Sequence, residues 1–305
     1  MELFENREEF IQIIKMTSEY FGIDSALIEK DYFVTLFLKR AKEAIPGLVF
    51  KGGTSLSKCY KIINRFSEDI DLTLDTEHFS QSKKRNSVRQ LIDVCETFGF
   101  SLANRQQIEE HTHGNYNCYL IEYPMIFASD DITPGLNVEM TYIQKSYPTE
   151  TVMASSYIAD FLVHNGNADI IEEYGLEPFE MQVQALERTL IDKVFALGDY
   201  YLSGSTLRIS RHIYDISQLL LKVDLLAPEL KDLVANVRND RKPNKTCLSA
   251  QDGVDMQALL QRIVCEEVFK KDYEGITLKL LTKPVSYGDA IQSIKRVIES
   301  KIFEY

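Results

Sequence analysis

Helical periodicity alternates with short strand-like runs in the first half of the chain. Apolar residues recur at helical spacing over residues 8–20, and a second helical pattern follows Asp24, whose side chain suits a helix N-cap. Pro46 and Gly47 end that pattern. Beyond them, short apolar or alternating runs predict strands, and one polar stretch predicts a helix. The strands are 48–50, 66–74, 116–123 and 136–142, and the helix is 80–98.

Long helical patterns dominate the chain from about Gln184 onward. They cover residues 185–201, 208–222, 228–236, 256–269 and 286–303. We therefore expect an α+β protein with two lobes. The first, residues 1–165, would carry a small mixed sheet, and the second, residues 166–305, would be mostly helical.

The composition excludes several classes of protein. The 305 residues are 45% hydrophobic, as in a globular protein, and no apolar run is long enough to span a bilayer. The first residues lack the features of a signal peptide, and the five cysteines include no CxxC pair. We expect a cytoplasmic protein without membrane segments, disulfides or structural zinc.

The formal net charge of −12 argues against broad affinity for nucleic acid, which needs local basic density. Two basic patches are candidates for local contacts, with solvated charged loops as the alternative interpretation. They are Lys83, Lys84, Arg85 and Arg89, and Arg238, Arg241, Lys242 and Lys245.

The predicted strand 66–74 carries the most informative pair of side chains. Residues two apart share one face of a strand, so Asp69 and Asp71 point to the same side, about 7 Å apart. Neighbouring carboxylates repel each other unless a cation neutralises them, and Mg²⁺ is commonly held by one or two carboxylates plus substrate phosphates. The pair therefore indicates a Mg²⁺ site, with a solvent-facing acidic strand as the alternative.

A glycine-rich turn precedes this strand. Gly52 and Gly53 would let the backbone approach a ligand closely. Thr54 or Ser55 can cap the helix that follows, whose first N–H groups would suit a phosphate. The spacing is not that of a Walker loop. The order of strand, Gly-Gly-Thr-Ser turn, short helix and D-x-D strand resembles that of the polymerase-β-like nucleotidyltransferases.

Three other segments carry candidate side chains. Glu139 lies on the polar face of the last predicted strand and is the candidate for a third carboxylate, with an ordinary half-exposed strand glutamate as the alternative. Lys193 interrupts the apolar face of a predicted helix, which is unfavourable unless its ammonium reaches an anion or water. Arg208, Arg211 and Asp215 share a polar face of the next helix, which by itself is typical of an intrahelical ion network.

Several of these segments resemble one family, the AbiEii/AbiGii toxin family of nucleotidyltransferases. The segments are IEKDY at 28–32, FKGGTSLSKCYKIINRFSEDIDL at 50–72, ERTLIDKVFAL at 187–197 and RISRHIYDISQL at 208–219. The resemblance implies a polymerase-β-like N-terminal lobe. It also implies Mg²⁺-dependent transfer of a nucleoside monophosphate from an NTP to an acceptor hydroxyl, with release of pyrophosphate.

The resemblance implies roles for individual residues as well. Asp69 and Asp71, with Glu139, would hold Mg²⁺, as two ions. Lys193 would bind phosphate, and Asp215 would be the general base for the acceptor hydroxyl. The implied nucleotide contacts are Gly52, Gly53, Thr54, Ser55, Ser67, Lys193, Arg208 and Arg211. Because the motif reads Gly-Gly-Thr-Ser where many nucleotidyltransferases have Gly-Ser, it leaves open which hydroxyl faces the phosphate.

The family further implies the toxin of a bacterial toxin–antitoxin or abortive-infection pair, with a cognate antitoxin and the 3′ end of tRNA as acceptor. One alternative keeps the chemistry but uses a small-molecule or protein hydroxyl, and the acidic composition would suit a cationic drug such as an aminoglycoside. The other alternative is a catalytically silent nucleotide-binding or partner-binding module. The presence of Asp69, Asp71, Lys193 and Asp215 together argues against it.

Overall fold

The computed structural model describes residues 1–65, 67, 69–76, 79–97, 99–110, 115–129, 132–142 and 145–304. The chain divides into two compact units. The first comprises Met1–Tyr60 and Ser67–Val183, and the second comprises Lys61–Phe66 and Gln184–Tyr305. The division thus falls after Val183 rather than after residue 165, because the residues between include a strand that joins the sheet of the first unit. The α+β class is confirmed, and the two-lobe arrangement stays a prediction.

The first unit contains helices α1 to α7. They span Arg7–Phe21, Ser25–Ala44, Gly52–Lys58, Gln81–Cys95, Arg105–Glu110, Tyr157–His164 and Ala168–Tyr174. Asp24 accepts a hydrogen bond from the backbone N–H of Ala26 and so caps α2, as its sequence predicts. Helix α3 begins at Gly52 itself and ends at Lys58, so neither Thr54 nor Ser55 is its N-cap.

Strands β1 to β7 span Val49–Lys51, Asp69–Thr73, Ser101–Leu102, Tyr116–Glu122, Leu136–Thr141, Thr149–Ala154 and Phe179–Gln184. Within the described residues they form one mixed sheet in the order β3-β4-β5-β2-β1-β7-β6. Strand β2 is antiparallel to β1 and parallel to β5, and β1 is parallel to β7. The predicted strand 66–74 corresponds to β2; its residues Phe66 and Glu68 lie outside the described part of the chain.

The two faces of the central strands differ in polarity. Ile70 and Leu72 of β2 are completely buried, as are Val138 and Met140 of β5. The alternate residues of both strands face the other side and are mostly half-buried. A shift of one residue in register would place carboxylates in the core, so the apolar face strongly determines which side chains the opposite face presents.

The second unit is mostly helical. Its helices α8 to α14 span Leu186–Ser203, Arg211–Leu219, Pro228–Arg241, Met256–Cys265, Lys270–Asp272, Leu278–Leu280 and Tyr287–Ser300. A π-helical turn, Tyr273–Thr277, joins α12 to α13. Helix α9 starts later than predicted because Arg208 has a left-handed backbone, with φ of 62°. No helix in the described ranges has the length and apolar character needed to cross a membrane.

Candidate active site

Three carboxylates predicted from the sequence lie on neighbouring strands of the first unit. Strand pairing places Asp71 beside Glu139 of β5 and beside Lys51 of β1, and it places Asp69 beside Asn137. Adjacent strands are about 4.8 Å apart, so these side chains share one small area of the sheet. We call Asp69, Asp71 and Glu139 the acid face.

The carboxylates of the acid face raise one another's energy by repulsion. Burial raises the pKa of the Glu139 carboxyl, and the nearby carboxylates of Asp71 and Asp69 raise it further. The Tyr116 hydroxyl of β4 donates a hydrogen bond to Glu139, and Lys51 also favours the ionised form, but neither cancels the upward shift. A cation bound at this face would relieve the repulsion between the carboxylates.

The donor set of the acid face fits Mg²⁺, which prefers carboxylate oxygen ligands. In the part of the chain that the structure describes, no three Asp, Glu, His or Cys side chains converge closely enough to hold an ion alone. Mg²⁺ is usually bound by one or two carboxylates together with water and substrate phosphates, and the pair Asp69 and Asp71 fits this mode of binding. Glu139 is bonded to Tyr116, and its role as a third metal ligand stays a prediction.

Gly52 brings the predicted phosphate-binding turn against the acid face. Its φ is 77°, a conformation that glycine adopts readily and other residues rarely. A Cβ atom at Gly52 would lie 1.9 Å from Oδ2 of Asp71, so only a residue without a side chain leaves room for that carboxylate. Lys51, which precedes Gly52, pairs with Asp71 across the strands, and this register explains the close approach.

The substitution Gly52→Ala should lower transfer activity by about tenfold or more, because the added methyl group must displace the Asp71 carboxylate. The left-handed backbone would also lower the free energy of unfolding by about 1–3 kcal/mol. Gly22→Ala is a matched control, since Gly22 has φ of 66° and no atom within 4 Å of the added methyl group. Steady-state rates at equal folded fraction compare the two, and equal rates would contradict the role of Gly52.

Thr54 and Ser55 already use the hydroxyl groups that were predicted to contact phosphate. The Thr54 hydroxyl donates to the carbonyl oxygen of Asp69 at 2.5 Å, and the Ser55 hydroxyl donates to that of Gly52 at 2.9 Å. Both side chains are buried, and Ser67, also buried, offers its carbonyl to Thr54 at 3.3 Å. The geometry favours a positioning role for these hydroxyls, with any phosphate contact of the turn made by the backbone.

A buried ion pair anchors α3, the helix that begins with this turn. Lys58 Nζ lies 2.6 Å from Oδ1 of Asp31 and donates a second hydrogen bond to Thr35 Oγ1, also at 2.6 Å. The other Asp31 oxygen accepts the backbone N–H of Tyr157 at 2.8 Å, where α6 begins. Asp31 belongs to the IEKDY segment, so this motif, to which the sequence assigns no role, holds the turn in place.

In the second unit, the completely buried carboxylate of Asp215 on α9 forms ion pairs with two nearly buried cations. Its Oδ1 accepts a hydrogen bond from Arg65 Nε, and its Oδ2 accepts bonds from an Arg65 terminal nitrogen and from Lys193 Nζ, each at 2.7 Å. Lys193 comes from α8, and Arg65 comes from the Lys61–Phe66 segment. We call Arg65, Lys193 and Asp215 the ion triad. Two cations share one anion, so the triad has a net positive charge that suits a phosphate.

The ion triad changes the interpretation of Asp215. Burial alone would raise the pKa of Asp215, but the Arg65 guanidinium and the Lys193 ammonium outweigh it and hold that pKa well below its usual range. A carboxylate with so low a pKa is a weak base, and Asp215 has no exposed surface from which to reach an acceptor hydroxyl. The geometry therefore favours Asp215 as the residue that positions Lys193 over its predicted role as general base.

Arg65 is the principal site residue that sequence reasoning missed. It stands in the quoted motif at 50–72, but no periodicity or spacing connects it with Asp215, 150 positions later. His212 lies beside the ion triad and stacks on Tyr200, with ring centroids 5.8 Å apart. Burial, followed by the Lys193 ammonium, holds the pKa of His212 well below its usual range, so its ring adds no further positive charge.

The other predicted cations have different surroundings. Arg208 is exposed in the turn before α9, and Arg211, the first residue of α9, is half-buried. In the second basic patch, Arg241 forms ion pairs with Asp192 and Asp199 at 3.2 and 2.7 Å, so it is not available to RNA. In the first patch, Lys84 is buried. The exposed cations of that patch are Lys83, Arg85 and Arg89.

The chain was compared with known protein families, curated sequences and solved structures. Residues 36–293 match the family model described as nucleotidyl transferase AbiEii toxin, type IV TA system. A search of curated protein sequences finds no match. Among solved structures, the crystal structure of JHP933 from Helicobacter pylori is similar with a TM-score of 0.43 and 15% identity, over 89% of this chain and 90% of that one. The family match spans the acid face, the Gly52 turn and the ion triad, and the chain therefore belongs to the AbiEii nucleotidyltransferase toxin family of type IV toxin–antitoxin systems.

Proposed function

We propose that this nucleotidyltransferase moves a nucleoside monophosphate from an NTP to the 3′-terminal hydroxyl of a tRNA, in a Mg²⁺-dependent reaction. The observation that carries the proposal is the contact between the Gly52 turn and Asp71, because this turn is the proposed phosphate-binding element and Asp71 is one of the two proposed metal ligands. Such an arrangement fits a substrate whose phosphates are bound by both.

The residues of the chain divide the chemistry among them. Mg²⁺, when bound, supplies neutralising charge for the triphosphate and the departing pyrophosphate. Asp69 and Asp71 would provide its carboxylate ligands, and Gly52 provides the space for Asp71. Lys193, held by Asp215, would offer a fixed ammonium to the phosphates, where a preorganised charge acts more strongly than a mobile one.

The toxin family and the distribution of positive charge support tRNA as the proposed acceptor. A type IV toxin is paired with a cognate antitoxin. A nucleotidyltransferase that modified the 3′ end of tRNA would stop translation and so arrest growth. The net charge of −12 requires that RNA be bound locally, and Lys83, Arg85 and Arg89 on α4 are exposed cations for this purpose.

A labelling experiment tests the proposed reaction. Purified protein is incubated with Mg²⁺, total bacterial RNA and each α-³²P-labelled NTP in turn, with Asp69→Ala as the control. Label in a band of tRNA size, absent with the control and absent with EDTA, is the expected result. If the label appears in a small molecule or a protein and not in RNA, the tRNA acceptor is refuted but nucleotidyl transfer is retained.

Charge reversal tests the basic surface of α4. The triple variant Lys83→Glu, Arg85→Glu and Arg89→Glu should weaken tRNA binding by about tenfold or more and should flatten its dependence on salt. The control must make the same change in charge at other exposed positions. It is the triple variant Lys231→Glu, Lys279→Glu and Lys295→Glu, whose residues are all exposed in the second unit. Equal binding by the two triple variants would exclude α4 as the RNA surface.

A further inference from the structure

Arg208 has a backbone conformation that glycine would adopt with less strain. Its φ of 62° lies in the left-handed region, where long side chains are uncommon. The side chain is exposed, so packing in a core does not explain why arginine stands here. Arg208 stands about seven positions before Asp215 of the ion triad, and a strained residue at such an exposed position points to a function for its side chain.

Asp272 holds the backbone of Arg208 in this conformation. One oxygen of its buried carboxylate accepts the backbone N–H of Arg208 at 2.8 Å, and the other accepts that of Ser210 at 3.0 Å. The Ser210 hydroxyl shares a hydrogen bond of 2.7 Å with the hydroxyl of Thr277 in the following π-helical turn. These contacts use the backbone of Arg208, and they do not require its guanidinium.

The same stretch of the chain also supports Arg65 of the ion triad. Leu281 forms a β-bridge with Arg65, and the backbone N–H of Thr282 donates to the carbonyl oxygen of Asn64 at 2.9 Å. Residues 272–282 therefore hold both the turn that carries Arg208 and the segment that supplies Arg65. This part of the chain lies beyond the motifs that resemble the family in sequence. Its contacts support the two segments that carry Arg65 and Arg208, in addition to packing the helices.

We propose that Asp272 is a positioning residue that fixes Arg208 in the left-handed conformation, so that its guanidinium is presented to a substrate phosphate. The inference rests on the proposed function, because it assumes that the substrates carry phosphate. The phosphate belongs to the NTP or to the backbone of the acceptor RNA, two sources with the same chemistry. Guanidinium groups suit either, since their fixed fork matches two phosphate oxygens.

Arg208→Gly separates the side chain from the backbone. The substitution keeps the left-handed conformation and relieves its strain, so the melting temperature should equal or exceed that of the wild type. The KM for one phosphate-bearing substrate should nevertheless rise by about tenfold, with a smaller change in kcat. Arg296→Ala removes the same charge from an exposed position on α14 and should leave both parameters unchanged.

A double-mutant cycle tests whether Asp272 acts through Arg208. Asp272→Asn should raise the same KM and lower the melting temperature, because the amide keeps one acceptor oxygen and turns an NH2 donor toward the other backbone N–H. In Arg208→Gly the added Asp272→Asn should lower the melting temperature but should not raise KM further. Additive increases in KM would show that Asp272 acts independently of Arg208 and would overturn the inference.

Separate titrations of NTP and tRNA identify the source of the phosphate, because only the KM of the substrate that contacts Arg208 should rise. Wild-type KM values for both substrates in Arg208→Gly would overturn the inference. If the wild-type protein transfers no nucleotide at all, the proposed function fails, but equilibrium binding of ATP and of tRNA still tests the inference. Equal affinities of wild type and Arg208→Gly for both would then overturn it independently.

Discussion

Replacing Asp215 by alanine should lower the stability of the second unit by about 3–5 kcal/mol, a typical effect of removing one partner from a buried ion pair. Arg65 and Lys193 would then lie within the unit without the anion that both now contact at 2.7 Å. Two desolvated cations would also repel each other at close range. The loss should appear in denaturant unfolding followed at equilibrium.

Two other variants show whether the effect belongs to the ion triad. Asp232→Ala removes an exposed carboxylate from α10 and should change stability by less than about 0.5 kcal/mol. Lys193→Met leaves the two hydrogen bonds between Arg65 and Asp215, so the loss of stability should be smaller. It should still abolish activity, because the ammonium proposed to bind phosphate is gone. If Asp215→Ala is as stable as Asp232→Ala, the buried triad is not the folded state in solution.

The substitution Asp71→Asn should reduce nucleotidyl transfer by about a thousandfold or more, since metal-mediated stabilisation of phosphoryl charge is worth several kcal/mol. The stability of the fold should not fall in parallel. Asp71 and Glu139 repel each other, and removing one negative charge should leave the melting temperature without Mg²⁺ unchanged or slightly raised. Loss of activity with retained stability is the combination that distinguishes a metal-binding carboxylate from a structural one.

Mg²⁺ binding provides the second measurement on this variant. In the wild type, Mg²⁺ with a non-hydrolysable NTP should raise the melting temperature, by linkage of binding to folding, and in Asp71→Asn the rise should disappear. Asp93→Asn, on the exposed side of α4, has the same chemistry and should behave as the wild type. A normal Mg²⁺-dependent rise in Asp71→Asn would remove Asp71 from the metal site.

The acid face could be predicted because it depends on local rules. Side chains alternate along a strand, so Asp69 and Asp71 had to share a face once Ile70 and Leu72 were assigned to the core. The same rule correctly assigned Glu139 to the polar side of β5. The sequence also predicted that the backbone at Gly52 approaches a ligand, but it did not show that the Asp71 carboxylate requires a glycine there.

The ion triad of the second unit depends on tertiary contacts that no local pattern encodes. Arg65 reaches Asp215 across 150 positions, and a lone arginine in a short segment carries no signal of that contact. The burial of Asp215 was likewise missed, because an aspartate on a polar helical face looks solvent-exposed until its partners are known. Strand β7 was overlooked although Met181 and Val183 are buried and alternate with glutamine and glutamate, since the run is short and polar.

The Lys61–Phe66 segment makes the second unit discontinuous in sequence. A recombinant fragment that starts at Gln184 would contain Lys193 and Asp215 but would lack Arg65, so its buried carboxylate would have one cation in place of two. A gene fusion or a recombination event that exchanges only the C-terminal half would introduce the same defect. The helical unit therefore cannot be exchanged as an independent domain. Its evolution is tied to six residues encoded between the turn and the acidic strand of the first unit.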